Sequence, residues 1–115
     1  MSVDKTFKYG ELEGTFSVSD SATAERWETA IAEYGKTVED MSGIEKESAR
    51  IKHVLAAVAT FIDAFLGEGS ALAAYGETTD LEVALDAMSA LIEFVTAQSA
   101  ALAAKYSVGP VSAKK

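Results

Sequence analysis

The chain has no cysteine, one proline and one histidine in 115 residues. Without cysteine there is no disulfide, no thiolate metal site and no cysteine nucleophile. Scarce proline, with 49% hydrophobic and 24% charged residues, describes a folded chain rather than a disordered one. Lys and Arg are missing from His53 to Ala104, a stretch that holds seven acidic residues. That lack, with a net charge of −8, argues against nucleic acid as a partner, because binding there rests on basic contacts with phosphate. The most apolar segment, Val54–Leu66, is too short to span a bilayer and carries Asp63 inside it. The first ten residues, "MSVDKTFKYG", hold no apolar run of signal-peptide length. One domain with a small core, no membrane partner and an intracellular location is the expectation.

What is present reads as α+β, mostly α: an N-terminal β-hairpin, then three main helices, with a short helix in the 67–78 connection. Over residues 3–18, "VDKTFKYGELEGTFSV", apolar and polar residues alternate. Gly10-Glu11 as a two-residue loop puts Gly where a type II′ turn needs positive φ. That register pairs Tyr9 with Leu12, Phe7 with Gly14, Lys5 with Phe16 and Val3 with Val18. Val3, Phe7, Tyr9, Leu12, Phe16 and Val18 then share one face, and a one-residue slip would mix the faces. A lone hairpin is marginal in water, so it must pack on helices or join a sheet between subunits.

Helices are expected over about 21–42, 44–66 and 80–106, in a domain spanning 1–106, with 107–115 a flexible tail. Ser19, Asp20 or Ser21 suits the first N-cap. Trp27, Ala30, Ile31, Tyr34, Val38 and Met41 follow at helical spacing, and Gly35 permits a kink or early end. The second helix carries Ile44, Ile51, Val54, Leu55, Val58, Phe61, Ile62 and Phe65. Thr79 to Glu82 has the form of a capping box ahead of the third, whose stripe runs from Leu81 to Tyr106 with Phe94 at its edge.

Little in this inventory suits catalysis. His53 has no companion arrangement of nucleophile and orienting acid, so it reads as a structural histidine. Asp80, Glu82, Asp86 and Glu93 lack the spacing of a metal site and read as a solvated acidic face. Gly67-Glu68-Gly69 lacks the lysine and the spacing of a phosphate loop. No catalytic, cofactor or metal site is therefore expected. The separation of basic from acidic residues along the chain suits head-to-tail or heterotypic association, and a solvated acidic face accounts for it as well.

The break "FLGEGSALAAYGETTD", residues 65–80, places three glycines within ten residues. Gly67 and Gly76 suit helix ends in the left-handed region. Between and beside them, Leu66, Leu72 and Tyr75 either cap the core or form an exposed patch for another protein. Phe94 either widens a core face or makes an interface contact. These four are the candidate protein-interaction residues.

The order of elements around this break, with the aromatic helix end Phe61, Phe65 and Leu66, then Gly67 to Gly69, Tyr75-Gly76 and the capped Thr79 to Glu82, resembles small proteins of long-tailed phages of Gram-positive hosts. These are encoded after the major tail protein and regarded as tail assembly chaperones or chaperone-like proteins. The resemblance covers residues 3–106, and its motifs are structural rather than catalytic. It implies a non-enzymatic protein acting in the host cytoplasm as a homo-oligomer. Its partners would be the tape measure protein, which many copies coat, and the tail tube protein, whose polymerisation they assist. The alternative is a structural virion component, a minor tail or head–tail connector protein. Such chaperones are often made in two lengths by ribosomal frameshifting. The terminal Ala113, Lys114 and Lys115 read as an ordinary basic tail, and are also compatible with a slippery A-rich codon run.

Overall fold

The computed structural model describes residues 3–106; the tail 107–115 and its terminal Ala-Lys-Lys lie outside the described residues. Strands β1 (Thr6–Tyr9) and β2 (Leu12–Thr15) form an antiparallel hairpin, followed by α1 (Ser21–Glu39), α2 (Glu47–Leu66), the short α3 (Ser70–Tyr75) and α4 (Leu81–Tyr106). The fold is α+β and mostly helical. Tyr9 faces Leu12 and Phe7 faces Gly14, and the Phe16 amide donates to the Lys5 carbonyl at 2.9 Å, so the register follows from the alternation.

The ladder stops before Val3 and Val18. At that open end Gln98 of α4, only 2% exposed, accepts from the Val18 amide at 2.7 Å and donates to the Asp4 carbonyl at 3.2 Å. One side-chain amide thus replaces a rung and ties both hairpin ends to α4. Phe7, Leu12 and Phe16 are buried, and Phe16 meets Phe65 edge-on at 4.9 Å and Phe94 at 5.6 Å. The hairpin is held by helices of its own chain.

Asp20 caps α1: its carboxylate accepts from the Thr23 amide at 3.0 Å and the Thr23 hydroxyl at 3.1 Å. Those donors, the amide first, hold its pKa below the usual carboxylate value. The helix runs through Gly35 but ends at Glu39, three residues before the expected 42, and α2 starts at Glu47 rather than 44. The intervening chain prefers its own turn. Gly43 takes φ 92°, the Ile44 amide donates to the Met41 carbonyl, and the Arg50 Nε donates to the Ile44 carbonyl at 2.9 Å.

The expected Thr79 capping box gives way to a cap one residue on. Asp80 Oδ1 accepts from the Glu82 amide at 3.0 Å, and the Thr78 hydroxyl accepts from the Asp80 amide. Aspartate is among the side chains best suited to accept such a bond at a helix start. In the core, Val58, Phe61, Ile62 and Phe65 of α2 meet Ala84, Met88, Leu91 and Val95 of α4.

Candidate functional site

The glycine-rich break is a machine for reversing the chain. The Gly67 amide closes α2 on the Asp63 carbonyl at 2.8 Å with φ 113° and ψ 154°, and Gly76 ends α3 with φ 69° and ψ −165°. Neither lies in the expected left-handed helical region. Both occupy the extended positive-φ region that is essentially restricted to glycine, because the chain must leave each helix straightened. α3 then runs back along α2, where Asp63 Oδ1 accepts from the Ala71 amide at 2.9 Å. A carboxylate from the preceding helix thus substitutes for the side-chain cap that Gly69 lacks.

Replacing Asp63 with Ala should therefore cost about 1 kcal/mol and loosen α3 selectively. Hydrogen exchange would read this as faster exchange at Ala71–Tyr75, with little change for Glu68→Ala in the same break.

The four candidate interaction residues separate. Leu66 is half-buried, with its Cδ2 in the space that a Cβ on Gly14 would approach to 3.2 Å, so it packs on the hairpin. Phe94 is half-buried between Phe7 and Phe16, at centroid distances of 5.5 and 5.6 Å. Tyr75 is half-buried; its hydroxyl is enclosed without a hydrogen-bond partner, and burial, reinforced by Asp63, pushes its pKa up. Leu72 is 58% exposed. Together with Leu55, Ala59, Tyr75 and Glu77 it lines an open groove of about 360 Å³ between α2 and α3. Of the four, only Leu72 is mostly exposed to solvent.

His53, which reads as a structural histidine in the sequence, is tied to backbone, and so is Arg26. His53 Nε2 lies 2.7 Å from the Thr37 carbonyl near the end of α1, which requires the proton on that nitrogen. Arg26 Nε donates to the Phe65 carbonyl near the end of α2 at 3.2 Å, with its guanidinium over the Phe65 ring. Each of two antiparallel helices thus satisfies a terminal carbonyl of the other, groups that a helix leaves without internal partners. Among the described residues no group of three or more His, Cys, Asp or Glu converges to hold a metal ion.

Sequence reasoning passed over a second groove, of about 270 Å³, on the outer side of the α1–α2 layer. Ala30, Ala57 and Phe61 form its buried floor, and Ala56, Thr60 and Ala64 recur every four residues along its α2 rim. Alanine and threonine carry no conspicuous signal in a sequence. Their spacing on one exposed helix face is the only trace such a groove leaves.

α4 also departs from the sequence reading, which took Val54–Leu66 as the most apolar stretch. Leu81–Tyr106 is long and apolar enough to cross a membrane by length and composition, at a hydropathy of 1.4. Its Ala84, Leu91 and Val95 nevertheless face the core, while Glu82, Asp86 and Glu93 face solvent.

A family model described as a family of unknown function (DUF6673) matches residues 10–113. No curated protein and no solved structure matches the chain.

Proposed function

The chain belongs to the DUF6673 family, whose function is unknown, and we propose that this member is a phage tail assembly chaperone. In this reading it is non-enzymatic, covers the long helical tape measure protein of a tail, and assists tail tube polymerisation. The observation that carries it is the α1–α2 groove. Its floor is apolar and its α2 rim is built of small residues over about 12 Å, which lets the backbone of a client helix approach closely. Helix-in-groove recognition of this kind reads apolar positions at three- and four-residue spacing, which a long helical client repeats many times. The roles of His53, Arg26, Asp63 and Gln98 support a non-catalytic reading, since each is bonded to the backbone of a neighbouring element.

Co-expression with a helical tape measure fragment tests the proposal. Thr60 is exposed at the middle of the groove rim, so Thr60→Trp fills the groove without entering the core. The variant should stay folded and lose at least about tenfold in affinity, while Leu72→Asp on the α2–α3 groove should bind nearly as wild type. Equal loss from both, or from neither, would refute the groove. Mass spectrometry of purified particles separates the structural virion component: a chaperone is absent from finished tails, and a tail subunit is present.

A further inference from the structure

The two edges of the hairpin differ. β2 has α3 beside it, and at the turn the Glu11 amide donates to the Ala73 carbonyl at 2.9 Å. Among the described residues β1 has no strand on its outer side. Because the Phe16 amide bonds to the Lys5 carbonyl, the bonded pairs of the ladder are Lys5–Phe16, Phe7–Gly14 and Tyr9–Leu12. Thr6 and Lys8 therefore turn their backbone N–H and C=O groups away from β2. Asp4 Oδ1 accepts from the Thr6 amide at 3.2 Å, in the place of an incoming carbonyl. The Lys8 amide has no such partner among the described residues.

An open groove of about 740 Å³ lies along this edge, with Phe7 and Lys8 of β1 on one side and Glu93 and Phe94 of α4 on the other. A free strand edge above a helix flank selects an extended chain, whose backbone meets the edge while alternate side chains reach the helix. Asp4, Glu13 and Glu93 line the groove against one cation, Lys8, which stands across the ladder from Glu13. With Asp86 exposed one turn before Ala90, and Lys5 exposed beside Asp4, the balance stays acidic. A second copy's β1 does not fit there. Its inner face is seated on its own α4, with Phe7 only 5% exposed. Adjacent strands lie about 4.8 Å apart, whereas two packed helices need about 8–10 Å, so the two α4 helices would collide.

We propose that the groove between β1 and α4 takes an extended segment of a partner protein, bearing lysine or arginine among apolar residues, which adds to β1 as a third strand. Its backbone bonds to Thr6 and Lys8, its apolar side chains lie over Phe94, and its cations meet Asp4 and Glu93. The site is separate from the α1–α2 groove around Thr60, and it stands whether or not the chaperone reading does.

A heptapeptide of alternating lysine and valine, titrated into the full chain, tests it. At saturation the peptide should slow hydrogen exchange at the Lys8 amide by at least about tenfold. Replacing its lysines with glutamate should weaken binding by at least about tenfold, and Glu93→Lys in the protein by roughly threefold or more. Lys8→Pro should abolish binding, because it removes an outward amide while leaving the ladder its bonds, whereas Lys8→Gln should bind at least as well as wild type. Two further peptides, N-methylated on alternate residues in the two possible phases, keep the test independent of how the proline variant folds: one should bind and the other should not. No binding at millimolar peptide, protection away from Thr6–Lys8, or equal binding of the two methylated peptides would each overturn the proposal. So would a wild-type dimer that Lys8→Pro dissolves, since the edge would then belong to a second copy.

Discussion

Phe65→Ala should lower stability by about 3–5 kcal/mol, a large part of the total for a domain of this size. Phe65 is 2% exposed and is the place where the elements converge. Phe16 of the hairpin meets its ring edge-on at 4.9 Å, Trp27 of α1 does the same at 4.9 Å, and Arg26 lies over it at 5.5 Å from the centroid. Edge-to-face aromatic pairs add about 0.5–1.5 kcal/mol each beyond the area they bury. Truncation therefore removes two such pairs together with the packing. The surrounding backbone cannot collapse into the space, because the Gly67 turn follows directly and is closed on Asp63. Thermal unfolding should show a midpoint lower by roughly 10–20 °C. A drop of only a few degrees would mean that the hairpin and α1 are not joined through this ring.

Gly10→Ala should cost about 2–4 kcal/mol, far more than its exposed position in a hairpin turn suggests. Gly10 takes φ 59°, as the turn requires, and a Cβ there would stand 2.2 Å from the Ala74 carbonyl oxygen. That oxygen belongs to the backbone of α3 and cannot rotate away. The turn would have to lift, and with it the bond from the Glu11 amide to the Ala73 carbonyl at 2.9 Å. Gly43→Ala separates strain from collision. Gly43 also has positive φ, at 92°, but meets nothing within 4 Å, so it carries only the conformational penalty of about 1 kcal/mol. Chemical denaturation of the two variants should rank Gly10→Ala clearly below Gly43→Ala. Equal effects would mean that the hairpin turn is not seated on α3.

How far such features are readable from sequence depends on whether their cause is local. The hairpin register was legible because alternation and a two-residue glycine turn are properties of neighbouring residues, and Tyr9 does face Leu12. The α2 stripe was legible for the same reason, and Phe61, Ile62 and Phe65 are core. Gln98 was not: within "TAQSAAL" it reads as a surface residue, and its burial depends on Asp4 and Val18, more than seventy positions away. Asp63 resembled a stray charge in an apolar helix until α3 returned to receive it. The break at 65–80 announced itself through glycine, yet the groove floored by Ala30, Ala57 and Phe61 lies elsewhere. Of the four residues proposed to meet a partner, Leu66 and Phe94 pack on the hairpin, and Leu72 alone is largely exposed.

On the proposed chaperone reading, the α1–α2 layer, rather than the glycine-rich break, is expected to meet the client. Hydrogen exchange on the full chain, with and without a helical tape measure fragment, tests it most directly. Slowed exchange should centre on residues 29–37 and 53–64, the two walls of the groove, with Gly67–Asp80 unchanged. Protection confined to Gly67–Asp80, or no protection at a fragment concentration that saturates binding, would contradict it.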